Sequence, residues 1–490
     1  MPHSESRSDP IRGPVKQVRR RPKRGNLILL AVVVPKETPR KKMLAFRALL
    51  VNTSPMLDGL GRVDGRMESN VVIGKILILI VGVLVPVSLA FFATGHLPGT
   101  TFPVIALGAT AFTLMALNLL LATRLPGLDA LFGGLDQVYF AHKWMGITAL
   151  VCAALHQQIK INTPGQQVMQ SLSALSIQVA QISFYTLLVL VLISFFKRIP
   201  KVNFEIPYAV WRWSHRLLGG VFAGLAFHQF FVKAPFDNNT LLASHLNIMA
   251  SVGLIAFLYT QLAPWLRTKG YRVAKITKHA AATIVDLEPK GRGIRPKPGS
   301  FAFVSFAAKG LRETHPFTVS QINPNGGIQF SIRGLGDFTK HLRDNLTEGV
   351  HARVEGGYGR FDYRRGGTTQ VWVAAGIGVT PFLAWADSLT ADNQDQIQLI
   401  YCVRNDAEAV GMDRVAAAAA RMPGFTYLLH KSETDGRFDA AKLIASAPFS
   451  VRNASLWFCG PPPLRVALQK GLKAAGKSPR SVHFERFEFR

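Results

Sequence analysis

The chain changes its hydrophobic pattern once, near residue 267. Before that point apolar residues come in long runs. After it they alternate in short segments between Gly and Pro turns. Six runs approach the ~20 residues that a membrane-spanning helix needs: about 71–92, 102–123, 138–158, 176–196, 208–232 and 245–266. The alternating segments predict a small antiparallel β-barrel. Beyond it, apolar strands run into Gly-containing turns and helical patterns, which predicts an α/β Rossmann-like domain. The expected division is a transmembrane domain over 67–267, a barrel over 268–368 and a nucleotide domain over 369–490.

Residues 1–66 do not fit either pattern. "RRRPKRGNLILLAVVVPKETPRKK" holds an apolar core of about nine residues, too short to span. No small-residue cleavage site follows it. The segment reads as a basic, disordered tail, or as a start codon assigned too early, with Met43, Met56 or Met67 as the alternatives.

Composition agrees with the membrane reading. Of 490 residues 48% are hydrophobic, and mean hydropathy is +0.19. Lys and Arg outnumber Asp and Glu by 57 to 29. Such a balance can indicate nucleic acid or a membrane protein with positive cytoplasmic loops, and the apolar runs favour the second. Arg62 and Arg66 precede the first run. Lys197, Arg198, Lys201, Arg212 and Arg216 lie around the junction of the fourth and fifth. Arg267, Lys269, Arg272 and Lys275 follow the sixth. The opposite loops hold only Lys160 and Lys233. The positive-inside rule then places both termini in the cytoplasm, in a multi-pass protein of the inner (plasma) membrane. Cys152, Cys402 and Cys459 are too far apart for a disulfide framework, zinc site or iron–sulfur ligand set.

The apolar runs carry the first candidate chemistry. An ionisable ring at bilayer depth is costly and marks a functional site by default. The third run holds His142 and His156, 14 residues apart; the fifth holds His215 and His228, 13 apart. At ~1.5 Å rise per residue the rings in each helix lie about 20 Å apart along the axis. Both helices run outward from the cytoplasm, so His142 faces His215 and His156 faces His228. Neutral imidazole is a good haem-iron ligand. Four histidines at matched depths favour two haems over ordinary core histidines. The hydrocarbon is ~30 Å thick, and two stacked haems make a relay across it. Fourteen residues return a helix to nearly one face, but thirteen do not. A tilt or bulge near Gly219–Gly220 is expected to correct this.

In the second half, "HPFTVSQ" occupies 315–321 and "SIRGLGDFTKHL" occupies 331–342. In the latter, Arg333 and the Gly334–Gly336 turn lead into an expected helix at Asp337–Leu342, with Thr339 in its first turn. A glycine turn feeding a helix N-terminus suits a diphosphate. "VWVAAGIGVTPFLAW" runs an apolar strand into Gly376, Gly378, Thr380 and Pro381, the order that cradles a dinucleotide phosphate. "IQLIYCVRN" ends in Arg404, which either pairs with a 2′-phosphate or is plain surface charge. "FCGPPP" brings Cys459, Gly460 and Pro461 to a strand end, where ligands collect. The terminal "HFERFEFR" offers Phe484, Phe487 and Phe489, for core packing or for stacking on a ring.

Together these motifs resemble the NADPH oxidase and ferric reductase superfamily, over about residues 67–490. The barrel is similar to the flavin domain of ferredoxin–NADP reductases. The resemblance implies that His315, Pro316, Phe317 and Thr318 support an isoalloxazine ring, with Ser320 nearby. It further implies FAD, NADPH or NADH, and two b-type haems as cofactors. Hydride transfer would occur near Cys459 and Thr380, and Phe487 or Phe489 would cover the flavin. The expected activity is transmembrane electron transfer to O2, giving superoxide. Its alternatives are reduction of a ferric chelate, or a haem subunit serving a periplasmic partner. A haem-binding or transport protein with a regulatory nucleotide domain is the reading from another class. The expected partners are the lipid bilayer and a small-molecule acceptor, with no nucleic acid.

Overall fold

The computed structural model describes residues 69–97, 99–125, 127–159, 171–195, 198–199, 204–232 and 240–485. The basic tail and its alternative starts, Lys160, Lys233, Phe487 and Phe489 lie outside the described residues.

Among the described residues five helices are long and apolar enough to cross a membrane: Ile73–Thr94, Thr101–Ala122, Leu135–Gln158, Leu172–Phe195 and Leu241–Arg267. The first contains a π-turn, Ile80–Leu84, where the Val85 N–H reaches back to the Ile80 carbonyl. Pro86 follows at once and has no N–H to give, a sequence cause for the wider turn. Thr101–Ala122 is the innermost helix, with Val104, Ala109, Thr113 and Ala116 among its buried residues. Small side chains there let neighbouring backbones approach. Ile182, Ile255, Leu258 and Leu262 point outward and exposed, as lipid-facing positions require.

The expected fifth span comes in two pieces, Tyr208–Arg216 and Leu218–Phe231. At the joint, the Leu217 N–H bonds the Ser214 carbonyl at 3.1 Å, a tighter turn than the α-helix makes. Such a turn advances the chain by about 20° more per residue. That is the direction needed to bring His228 toward the face of His215. Part of the correction therefore sits at Leu217, just before the glycines. Gly219 has another reason to be glycine: a Cβ there would stand 2.1 Å from the Phe257 ring, on the last membrane helix.

The last helix ends at Arg267, and the barrel begins two residues later. Its strands are β1 (Lys269–Lys278), β2 (Thr283–Pro289), β3 (Phe301–Phe306), β4 (His315–Ile322), β5 (Ile328–Ile332) and β6 (His351–Tyr358). They close in the order β1-β2-β5-β4-β3-β6, with every pair antiparallel. Register shifts in β1, β3 and β4 add the bends that closure needs. Tyr271, Val285, Val304, Val319, Phe330 and Val354 fill the interior. The helix expected at Asp337–Leu342 runs to Asn345.

Five parallel strands follow: β7 (Thr369–Ala375), β8 (Gln396–Val403), β9 (Phe425–Lys431), β10 (Ser455–Cys459) and β11 (Ser481–Phe484). Their order is β9-β8-β7-β10-β11. The order of winding reverses between β7 and β10, and an open α/β sheet binds its ligand at such a point. Trp372, Trp385 and Trp457 form the aromatic centre of one covering layer. The fold is thus a helical membrane bundle, a closed β-barrel and an α/β domain.

The two neighbouring glycines make a paired test. Gly219→Ala should lower stability by about 1–3 kcal/mol through overpacking against Phe257. Gly220→Ala, where a Cβ meets nothing within 4 Å, should be neutral. Thermal unfolding in one detergent measures both. Equal melting temperatures would show that Phe257 does not bear on this helix.

Candidate functional site

The four membrane histidines assemble as two pairs. His142 and His215 face each other with ring centroids 6.0 Å apart. A metal–imidazole bond of about 2 Å on each side, with the two ring radii added, gives nearly that separation. The Nδ1 of His142 bonds the Asn118 carbonyl at 3.2 Å, and that of His156 bonds the Val104 carbonyl at 2.8 Å. A carbonyl only accepts, so both Nδ1 atoms carry the proton. The Nδ1 of His215 lies 2.9 Å from the Ser194 hydroxyl, whose own proton goes to the Leu190 carbonyl. Ser194 therefore accepts, and the His215 Nδ1 is also protonated. Three rings thus present Nε2 as a lone pair, the tautomer a metal ligand needs, held by an outer bond. His228 lies within electrostatic reach of His156. Its buried Nδ1 is directed at the Ser176 backbone without good hydrogen-bond geometry. A Cβ on Gly108 would fall 2.8 Å from the His156 ring, so that glycine makes room for it. The donor set fits a metal held between two neutral imidazoles.

The barrel docks on one end of the bundle through a buried carboxylate. Glu355, at the end of β6, is 3% exposed. It lies 3.6 Å from Arg124 and 3.4 Å from Arg267, which come from the ends of two different membrane helices. The Tyr358 hydroxyl donates to it at 2.6 Å. Arg267 also donates to the Thr123 and Arg124 carbonyls. Arg360 donates to the Ala130 carbonyl at 3.0 Å. Phe301, Phe303 and Tyr358 continue the apolar cluster of Leu121, Leu135 and Val138. Arg124 holds φ at +52°, the only non-glycine residue with positive φ among those described.

In the nucleotide domain, the two turns singled out in sequence meet at the switch point. Gly376 has φ +55°. A Cβ on Gly378 would stand 2.3 Å from the Cys459 carbonyl, and one on Gly460 would stand 2.7 Å from Ala375. Glycine here lets the ends of β7 and β10 approach, as a nucleotide-binding crevice requires. Thr380 and Pro381 open the helix Thr380–Ser388, and the Thr380 hydroxyl donates to the Ile377 carbonyl. Pro461 caps the helix Pro462–Ala474. Cys459 is fully buried, and burial pushes its thiol well up, so it is no thiolate at neutral pH.

On the barrel, Pro316, Phe317 and Thr318 lie on β4, paired with Phe303, Ala302 and Phe301. The His315 ring lies 3.8 Å from that of Phe338. Ser320 departs from expectation: it is fully buried, and its hydroxyl donates to the Gln329 carbonyl inside the barrel wall. The Thr339 hydroxyl accepts from Leu335 and Gly336 N–H, so its first task is to cap the Asp337 helix. Arg333 extends across to the other domain, and its guanidinium would lie 3.3 Å from a Cβ on Gly376. Arg404 is exposed and pairs with Glu408. Phe484, grouped with the terminal aromatics, is core: it packs in the layer with Val373 and Leu456, with Arg465 over its ring at 3.9 Å.

One site residue escaped the sequence reading. Glu485 has a carboxyl oxygen buried without a partner, and its other oxygen would lie 3.0 Å from a Cβ on Gly359. Burial, then repulsion from Asp136, raise its pKa well above the usual carboxylate range. Its carboxyl lies between the barrel, Cys459 and the start of the His142 helix, where these causes favour the protonated form. Its one signal in the sequence is an acidic residue directly after the half-buried strand β11, among aromatics.

Comparison with known proteins bears on both halves. Residues 107–226 match the ferric reductase like transmembrane component, and residues 274–451 match an FAD-binding domain. The chain has the architecture of the NADPH oxidase and ferric reductase superfamily. The first match includes His142, His156 and His215. The second includes the His315–Gln321 strand, the Arg333 turn and the Gly376–Pro381 turn. The chain is 26% identical over 197 residues to the toluate 1,2-dioxygenase electron transfer component of Pseudomonas putida, covering 39% of this chain and 58% of that protein. It is 33% identical over 149 residues to the ferredoxin reductase component of 3-ketosteroid-9-alpha-monooxygenase from Mycolicibacterium smegmatis, covering 30% and 42%. It thus spans about half the length of these relatives. Among solved structures, a flavohemoglobin from Malassezia yamatoensis aligns at TM-score 0.43 and 18% identity, over 86% of this chain and 100% of that one. An Amycolatopsis cytochrome P450 reductase aligns at 0.40 and 22%, over 45% and 70%. The matched regions make the chain a multi-pass membrane protein whose second half is an FAD-binding, reductase-like domain.

Glu355→Ala should leave Arg124 and Arg267 without their buried counter-charge, a loss worth about 3–5 kcal/mol for a buried pair. Amide exchange should rise in residues 121–130 and 352–360, while the strands of the parallel sheet stay protected. Unchanged exchange at both segments would mean that the carboxylate does not hold the two halves together.

Proposed function

We propose that the protein carries electrons from cytoplasmic NAD(P)H, through FAD and two b-type haems, to O2 on the far side of the inner membrane, giving superoxide. The reading divides the chain into a di-haem membrane domain (67–267), a flavin domain (268–368) and a nucleotide domain (369–490), with both termini cytoplasmic. The observation that carries it is the histidine tautomer. His142, His156 and His215 each spend Nδ1 on a fixed acceptor and turn Nε2 free, and His142 and His215 stand 6.0 Å apart. His142/His215 would hold the haem nearer the reductase half, and His156/His228 the farther one. Bound together, FAD and haem supply the conversion of a two-electron hydride into single-electron steps.

The chain's own residues do the rest. Gly376, Gly378 and Gly460 open the backbone for a dinucleotide, and the two glycine turns seat the nicotinamide near Cys459 and Thr380. The barrel wall of His315, Pro316, Phe317 and Thr318 supports the flavin, and Arg333 and the Gly334–Gly336 turn face its diphosphate. Glu485 holds a proton where the flavin, the Cys459 turn and the membrane half converge. With two imidazoles to each iron there would be no open position, so the acceptor would take its electron without binding the metal. The match to a ferric-reductase-like component supports ferric-chelate reduction as the second reading. Purified protein in lipid nanodiscs, given NADPH, is scored for superoxide against ferric-chelate reduction. Superoxide that is abolished by removing O2, with slow chelate reduction, is expected. The reverse assigns the second reading.

His156→Leu should leave about half the haem absorbance, since the inner pair keeps both ligands. NAD(P)H should still reduce what remains, while transfer to the outer acceptor falls steeply. Gly108→Val, which crowds the same ring, should behave alike. His142→Leu should instead block reduction of the remaining haem. If His156→Leu is the variant that blocks haem reduction, the assigned direction is reversed. Full haem content in both variants would show that these histidines are not the ligands.

A further inference from the structure

Beside the Gly376 turn, at the end of the neighbouring strand, stands a charge cluster whose Arg404 and Glu408 the electron path does not use. β8, beside the β7 strand that carries the glycine turn, ends at Val403. Arg404 follows it, and Glu408 comes four residues on, in the single turn Asp406–Glu408. The Arg404 Nε donates to Glu408 Oε1 at 2.7 Å, its Nη2 donates to the same oxygen, and its backbone N–H reaches Oε2 at 3.3 Å. Arg333 approaches from the barrel, 3.9 Å from Oε1. The Tyr401 hydroxyl ties the turn down, accepting from Val410 N–H at 3.1 Å and donating to the Glu408 carbonyl. Arg333, Arg343, Arg404 and Glu408 line a small cleft of about 120 Å³. Arg404 and Arg333 hold the Glu408 carboxyl below the usual carboxylate range, so it is charged at neutral pH.

Chemistry gives each member a different taste. A carboxylate at the end of the second strand of a nucleotide-binding sheet accepts a hydrogen bond from a ribose 2′-hydroxyl, and an arginine there accommodates a 2′-phosphate. Here both are present and paired to each other. The Arg404 side chain is 66% exposed and that of Glu408 12%, so the arginine can swing while the carboxylate stays. Arg404 can trade one carboxylate for a phosphate, because both fit its fork.

We propose that Arg404 and Glu408 form a two-way reader of the ribose 2′ position, which lets this reductase take both NADH and NADPH. With NADH, Glu408 stays paired and accepts the 2′-hydroxyl. With NADPH, Arg404 turns to the 2′-phosphate, at the cost of losing Glu408 and facing its charge. Neither cofactor is then strongly favoured. The inference rests on the reading of this crevice as the NAD(P)H site.

Anaerobic stopped-flow reduction of the flavin in the full-length protein tests it, with NADH and NADPH titrated separately. Wild type should accept both, with kcat/KM values within about tenfold of each other. Glu408→Gln should improve the NADPH-to-NADH ratio by about threefold or more, the scale of an exposed ion pair. Arg404→Gln should move the ratio the opposite way. The inference is overturned if both variants change the two nucleotides equally, or if wild type prefers one by a hundredfold and Glu408→Gln does not relax it. Loss of FAD from either variant would also overturn it, assigning the cluster to the flavin's diphosphate. If neither nucleotide reduces the wild-type flavin, the nucleotide-site reading itself fails.

Discussion

An imidazole at bilayer depth has two nitrogens to satisfy, and the membrane half is arranged around that demand. No water is at hand in hydrocarbon, so each ring must find its partner on a neighbouring helix. The innermost helix supplies two such partners as backbone carbonyls, Asn118 and Val104. These acceptors are fourteen residues apart, the same interval that separates His142 and His156 on the antiparallel helix beside it. The spacing is therefore a register between two helices as much as a spacing between two ligands. A helical carbonyl has a second lone pair after serving its own helix, so the partner costs no local structure. It needs proximity, which explains Gly108 below the His156 ring. His215 takes a side chain of the helix beside it in place of a carbonyl, the Ser194 hydroxyl.

The same need for partners controls how the halves meet. Glu355 has left water, and a carboxylate in that position requires cations and donors around it. Arg124 and Arg267 answer from the ends of the second and the last span, and Tyr358 answers from within the barrel. Arg267 in turn caps the carbonyls that end the second span. The final span continues into β1 after Thr268 alone, so little slack is left in the connection. A positive φ at Arg124 is tolerable because this network fixes it from several sides.

Patterns with a period were legible in the sequence, and contacts without one were not. Apolar runs gave the membrane spans within a few residues. Alternation gave the barrel, and strand-turn-helix order gave the crevice at Gly376. The break at Leu217 was sensed only as a misfit of thirteen residues, because a 3.6-residue period says how far a helix must be rewound but not where. The carboxylates were invisible. Glu355, Glu408 and Glu485 belong to no motif, and their meaning comes from burial and from partners far away in the chain or across a turn. Ser320 stands beside a recognised motif, yet the register shift between Val319 and Gln321 and its bond to the Gln329 carbonyl, which no sequence pattern shows, put its hydroxyl in the barrel wall.

The barrel is the piece through which all of this is joined. Its β6 end grips the membrane helices through Glu355. Its Arg333 reaches the other way, to the Gly376 turn and to Glu408. The nucleotide crevice is complete only when the barrel lends it that cation, and the membrane interface is complete only when the barrel lends it that carboxylate. A displacement at either contact would be felt at the other, since a closed six-stranded barrel has no free edge along which to give. The Glu485 carboxyl lies in the seam between them, within reach of the charge of Asp136 on one side and of Cys459 on the other. Burial and the charge of Asp136 both favour the uncharged form of this acid in that seam. The docking of the two halves, which brings Asp136 and the end of the last strand together, therefore sets the surroundings in which Glu485 titrates, and the protonated form is the one that close approach favours.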